Sequence, residues 1–73
     1  MEITLEFKVI KKELPKGPFP FQIKESSTVM DILEGFNIRT YPAIHIVNGR
    51  RVKRNTVLEN GDKLTIVNVF GGG

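Results

Sequence analysis

The sequence predicts an α+β fold: a single mixed sheet of four to five strands with one main helix packed on one face. Three observations predict it. Several short segments alternate apolar and polar residues, the period of a half-buried strand, and only one stretch spaces its apolar residues as a helix does. One helix cannot cover two sheets, so it must pack on one face of a single sheet. The chain has 73 residues, which fits one domain with a modest core.

From Met1 to Ile10, Ile3, Leu5, Phe7 and Val9 alternate with Glu2, Thr4, Glu6 and Lys8, and this reads as a strand. Lys11 to Pro20 holds three prolines and Gly17. Proline offers no ladder donor, so this segment reads as a long hairpin connection. Phe19, Phe21 and Ile23 alternate again as a second strand. Thr28 stands three residues before Asp31, the spacing of a capping box. Val29, Ile32 and Leu33 then recur at i, i+3 and i+4, and Gly35 supplies a stop, giving a helix of about two turns held by packing rather than propensity. After Pro42, Ala43–Val47 is a short apolar strand. Asn48-Gly49 is the strongest short hairpin signal, because a type I′ turn needs positive φ at both central positions. Arg50–Arg54 is the return strand. Its charge suits a sheet edge, where it discourages further pairing. Leu58 plugs the core, and Glu59-Asn60-Gly61-Asp62 makes a tight turn. Lys63–Phe70 is the last strand, apolar on both sides and therefore central. This order fits a β-grasp roll over residues 1–70, followed by a flexible glycine tail at 71–73.

Composition excludes several function classes. There is no cysteine, so disulfides, zinc ribbons and cysteine-held iron–sulfur clusters are excluded. No apolar run is long enough to span a membrane, and the first ten residues do not read as a secretion signal; the expected location is cytoplasmic. A chain this short has little room for a deep substrate pocket, and it carries no catalytic triad or phosphate loop. Net charge is +3 and unevenly spread. Residues 1–38 sum to −1, whereas Arg39, Arg50, Arg51, Lys53, Arg54 and Lys63 against Glu59 and Asp62 bring residues 39–73 to +4. A basic half favours an acidic partner over nucleic acid, since no aromatic residues interleave the cations.

The strongest functional signal is Gly71-Gly72-Gly73. On its own a glycine-rich end reads as frayed chain. Directly after a buried strand it reads as a thin tail that can enter a narrow channel, where backbone approaches a nucleotide without side-chain collision. Its end group would be a carboxylate, a poor electrophile until its oxygen becomes part of a leaving group. Adenylation by ATP does that, and a sulfur nucleophile then displaces AMP.

Three stretches carry a resemblance: Ala43–Gly49 (AIHIVNG), Leu58–Leu64 (LENGDKL) and Ile66–Phe70 running into the glycines, with the helix start Thr28–Leu33 as a fourth. In their order and spacing they are similar to the ThiS/MoaD family of ubiquitin-like sulfur carriers. The resemblance implies a β-grasp fold and a protein co-substrate rather than an enzyme. It implies that Gly73 carries the reactive carboxylate, which becomes an adenylate and then a thiocarboxylate, with Gly72 granting access to it. It implies no cofactor bound by the chain itself, with ATP and a sulfur donor used by a ThiF/MoeB-like adenylating enzyme. The acceptor would be a sulfur-accepting synthase, such as a thiazole synthase or the large subunit of molybdopterin synthase. The thiamin thiazole branch is favoured over molybdopterin, because the approach to the tail, Asn68-Val69-Phe70, lacks proline.

Partner contacts are expected from Gly71, Phe70, Val69, Val67, Arg51 and Lys53. If Leu64 and Ile66 face the helix, Val67 and Val69 point outward, and His45 and Val47 are placed with them in an exposed apolar patch. Scattered surface hydrophobes explain the same pattern equally well. Arg50, Arg51, Lys53 and Arg54 read first as a solvated edge strand. His45 has no second histidine or cysteine with which to hold a metal. Tyr41 reads as packing at a loop end. Two other functions stay open: a ubiquitin-like modifier whose activated carboxylate forms an isopeptide, and a non-catalytic β-grasp module binding protein or RNA through its basic edge.

Overall fold

The computed structural model describes residues 1–8, 14–40 and 42–68. The alternation at the start of the chain becomes strand β1 (Glu2–Lys8), with Ile3, Leu5 and Phe7 buried. Strand β2 (Phe19–Gln22) lies antiparallel to it, with Ile3 opposite Phe21 and Thr4 opposite Pro20. Met1 and Ile23 exchange both backbone bonds, at 2.9 and 2.8 Å, so it is the odd residues of β1 that bond to β2. The Thr4 amide instead reaches the Asp62 carbonyl at 2.8 Å. Pro20 therefore turns its missing N–H to the free edge of the sheet, where it blocks addition of another strand. In the connection, Leu14 is buried and the Lys16 carbonyl accepts from the Phe7 amide at 2.8 Å. Gly17 follows with φ +79°, and a Cβ there would sit 2.6 Å from the Leu5 carbonyl oxygen, so only glycine fits.

Helix α1 (Val29–Gly35) starts at the predicted capping box: Thr28 Oγ1 accepts from the Asp31 amide at 3.3 Å, and Asp31 accepts from the Thr28 amide at 2.8 Å. The amides of Val29 and Met30 go to the carbonyls of Thr56 (3.0 Å) and Arg54 (2.9 Å). All three orphan donors of the first helical positions are thus satisfied. The helix ends at Gly35, as expected, but the left-handed residue that closes it is Asn37, which takes φ 60°. The amides of Ile38 and Asn37 bond back to the carbonyls of Leu33 (2.8 Å) and Glu34 (3.0 Å), a Schellman closure that also buries Ile38 beside Leu33.

Strands β3 (Ala43–Val47) and β4 (Arg50–Val52) form the predicted hairpin, with φ 52° at Asn48 and 84° at Gly49. The return strand is shorter than the expected Arg50–Arg54. Lys53 and Arg54 leave the ladder because their carbonyls serve the Thr56 and Met30 amides, which caps the helix start instead. Strand β5 (Lys63–Asn68) is parallel to β1 and antiparallel to β3, giving the order β2-β1-β5-β3-β4. The last strand is central and the charged β4 is an edge, as its sequence predicts. The ends of the expected first and last strands, 9–10 and 69–70, and the expected boundary between domain and tail at 70/71 lie outside the described residues.

One face of this five-stranded sheet packs on α1. Ile3, Leu5, Phe7, Leu64 and Ile66 meet Val29, Ile32 and Leu33 there, with Leu14, Ile38 and Leu58 closing the sides. Phe36 stacks edge-on to Phe7, with ring centroids 4.9 Å apart. This is the β-grasp arrangement that the order of elements predicts.

Candidate functional site

Pairing register decides which side chains share the other, open face of the sheet. Ile66 stands opposite His45 and Leu64 opposite Val47, so His45 and Val47 belong to the core face. Across β3, His45 also opposes Val52 and Ile46 opposes Arg51. The placement of His45 and Val47 in an outward patch is therefore corrected: His45 is only 6% exposed. The residues that do point outward are Ile44 and Ile46, and sequence reasoning missed them. Two signals could have found them together. The Asn48-Gly49 turn sets His45 against Val52, and Val52 is the one apolar residue of β4, so it faces the core and takes His45 with it.

Val67 does point outward, opposite Ile44 and Lys8. Ile44, Ile46 and Val67 are each half-buried and form one apolar strip along β3 and β5. Its neighbours on the β1 side are polar. Glu6 opposes Thr65 and lies 3.5 Å from the Lys63 ammonium. At the β4 edge the exposed Arg51 ends the row Glu6–Thr65–Ile46–Arg51. Lys53, expected with it, is exposed in the turn that follows.

A network of turns holds this end of the face in register. Asn48 Oδ1 accepts from the Lys63 amide at 2.9 Å, and Asn48 Nδ2 donates to Asp62 at 2.8 Å. The second Asp62 oxygen accepts from the Glu59 amide at 2.8 Å, and Asn60 accepts from the Glu2 amide at 2.9 Å. Turn chemistry thus accounts for Asp62.

The strip leads to the tail. β5 is the central strand, and its last described residue, Asn68, pairs with Ala43 at the start of β3. Val69, Phe70, Gly71, Gly72 and Gly73 lie outside the described residues, as does Tyr41. Among the described residues no group of acids and histidines could hold a metal ion. A shallow recess at the helix end is lined by Glu34, Asn37, Arg39 and Thr40, with Glu34 and Arg39 paired at 3.5 Å. It holds no nucleophile beside a base. No helix among the described residues is long and apolar enough to cross a membrane.

Among the described residues His45 is the group whose titration is shifted. Burial pushes its imidazole below the usual value; the Arg54 guanidinium and, less strongly, Arg51 push the same way, while the Val52 backbone opposes them. Its Nε2 is buried and has no hydrogen-bond partner.

The model of the ThiS family matches residues 11–73, most of the chain including the glycine end. No curated protein matches the chain.

Proposed function

The chain belongs to the ThiS family, whose members are small sulfur carriers rather than catalysts, and on that premise we propose that Gly73 is the residue it presents for chemistry. The observation that carries the reading is the family match extending through the glycines, on a sheet whose central strand leads into them. In the proposed sequence the Gly73 carboxylate attacks the α-phosphorus of ATP and pyrophosphate leaves. The resulting acyl adenylate is a mixed anhydride with AMP as its leaving group. A sulfide-level sulfur then attacks the carbonyl carbon and AMP departs, leaving a thiocarboxylate. Gly72 and Gly71 keep side-chain bulk away from the nucleotide.

The chain supplies no catalytic group to these steps in this reading. A ThiF/MoeB-like adenylating enzyme supplies them, together with ATP and the sulfur donor. The open-face strip of Ile44, Ile46 and Val67, rimmed by Arg51 and Lys53, is the proposed docking surface beside the tail, continued by Val69 and Phe70. A half-buried apolar strip with a cationic rim fits a partner with an apolar groove edged by carboxylates. The acceptor we favour is a thiazole synthase of thiamin biosynthesis, with the molybdopterin synthase large subunit next. The proposed location is cytoplasmic.

The test is intact mass after incubation with a ThiF-like enzyme, ATP and a sulfur donor. The expected result is a mass gain equal to one oxygen replaced by sulfur, lost when Gly73 is deleted. No gain with an enzyme that thiocarboxylates another carrier would overturn the reading. Covalent attachment to lysines of other proteins would make the chain a modifier instead. Offering the thiocarboxylated chain to each synthase then decides the pathway.

A further inference from the structure

A buried histidine with an unsatisfied nitrogen is an uncommon thing to find in a core this small. His45 lies in the row Phe7–Ile66–His45–Val52, three apolar residues and one imidazole. The residue is 6% exposed and its Nε2 meets no acceptor or donor. An orphaned buried polar atom costs stability, whereas an apolar side chain of similar shape would not. The residue is therefore a poor choice for packing and a good one for a group that must change charge.

We propose that His45 is an acid-sensitive release for the β3–β4 hairpin: a proton added at the buried Nε2 finds no acceptor there, and the three-residue edge strand β4 detaches to let the ring reach water. β4 is the element that can give way. It is paired on one side only and is three residues long, whereas β3 is also held to β5 over five register pairs. The charges that act on the ring are Arg54 and Arg51, both cationic. From β5 the residue opposite His45 is Ile66, with Leu64 next on the same face, and the helix side chains buried on that side of the sheet, Val29, Ile32 and Leu33, are all apolar. Glu34, at the helix end, is already paired with Arg39. Among the described residues, the charged groups that act on the ring include no carboxylate.

The sign follows from linkage. The unfolded ring has the higher affinity for a proton, so the folded hairpin is fully stable above the usual histidine value and loses stability as pH falls through it. That window lies above the ordinary range of Asp and Glu, at about 4. The release concerns the chain itself. Only its consequence, withdrawal of Arg51 from the docking face, rests on the carrier reading.

The experiment is amide hydrogen exchange on the isolated chain from pH 7 to pH 5, corrected for intrinsic rates, with the imidazole titrated by NMR in the same samples. Protection at Arg50 and Val52 should fall by up to about tenfold per pH unit, while β1 and β5 amides hold. His45→Leu should remove the pH dependence and leave protection at pH 7 equal or higher. His45→Gln, neutral at every pH used, serves if the leucine does not fit. Three results would each overturn the proposal: equal loss across the whole sheet, an unchanged pH profile in the variants, or a folded-state imidazole titrating at or above its ordinary value. None of them bears on whether Gly73 is thiocarboxylated, so the two readings fail separately.

Discussion

The two faces of the sheet are built by alternate residues of the same strands, and they differ in what they do with apolar side chains. On the helix side, rows such as Phe19–Leu5–Leu64–Val47 run apolar across four strands. On the open side, β1 contributes only Glu2, Thr4, Glu6 and Lys8, and apolar residues return only over β5 and β3 as Val67, Ile44 and Ile46. Among the described residues, the half-buried hydrophobes of the open face are confined to β3 and β5. The difference separates two jobs in the reading proposed above: the helix side supplies stability, and half of the open side is proposed to meet a partner.

The comparison breaks most sharply at Leu64. It is fully buried on the central strand. Leu64→Ala should cost about 2–5 kcal/mol, a large share of what a domain this small holds, and chemical denaturation would show it. A loss below 1 kcal/mol would mean that the helix side is not where stability is concentrated. Asn48 should come next. It combines a left-handed backbone with two hydrogen bonds that tie the β3–β4 turn to Asp62 and Lys63. Asn48→Ala should cost about 1–2 kcal/mol. Asn48→Gly, which relieves the backbone but not the bonds, should recover part of that; if both variants cost the same, the side-chain bonds carry the whole effect.

The sheet order, the capping box and the type I′ turn were legible because each rests on local chemistry: period, spacing or a demand for positive φ. The facing of β3 was misread because Ile44/Ile46 and His45/Val47 are both apolar enough to be core, and alternation alone leaves a twofold choice. Volume favoured the isoleucines. Register, which runs through Val52 to His45, chose the other pair. The helix end at Gly35 was legible, but the residue that closes it was not: Asn37 tolerates the left-handed conformation and sits where the Leu33 and Glu34 carbonyls need donors. Glycines at the end of the chain carry no side-chain pattern at all. Their meaning came from the resemblance and from the strand they follow.

The open side is tested at Ile46 and Val67. Ile46→Glu or Val67→Glu should change stability by less than about 1 kcal/mol, the scale of one cross-strand pair. Either should still weaken binding to the adenylating enzyme by tenfold or more if the strip sits at the centre of the contact, where a carboxylate would be buried without a partner. Melting and binding are measured on the same preparation. Unfolding of Val67→Glu would refute its outward placement, and unchanged binding in both variants would move the docking surface elsewhere.

The smallest effect belongs to Arg51, at the rim. Its guanidinium ends the row that begins with Glu6 and is exposed, so Arg51→Ala should leave folding within about 0.5 kcal/mol. A rim charge acts mainly on encounter: it steers an acidic partner through solvent and is screened by salt. Association should therefore slow by a few-fold at low ionic strength, and the difference from the parent chain should shrink as salt approaches 1 M, while dissociation stays nearly constant. Stopped-flow binding at several salt concentrations reads both rates. A change in dissociation that salt does not touch would place Arg51 inside the buried part of the contact, and the boundary between the apolar strip and its charged rim would then lie beyond β4.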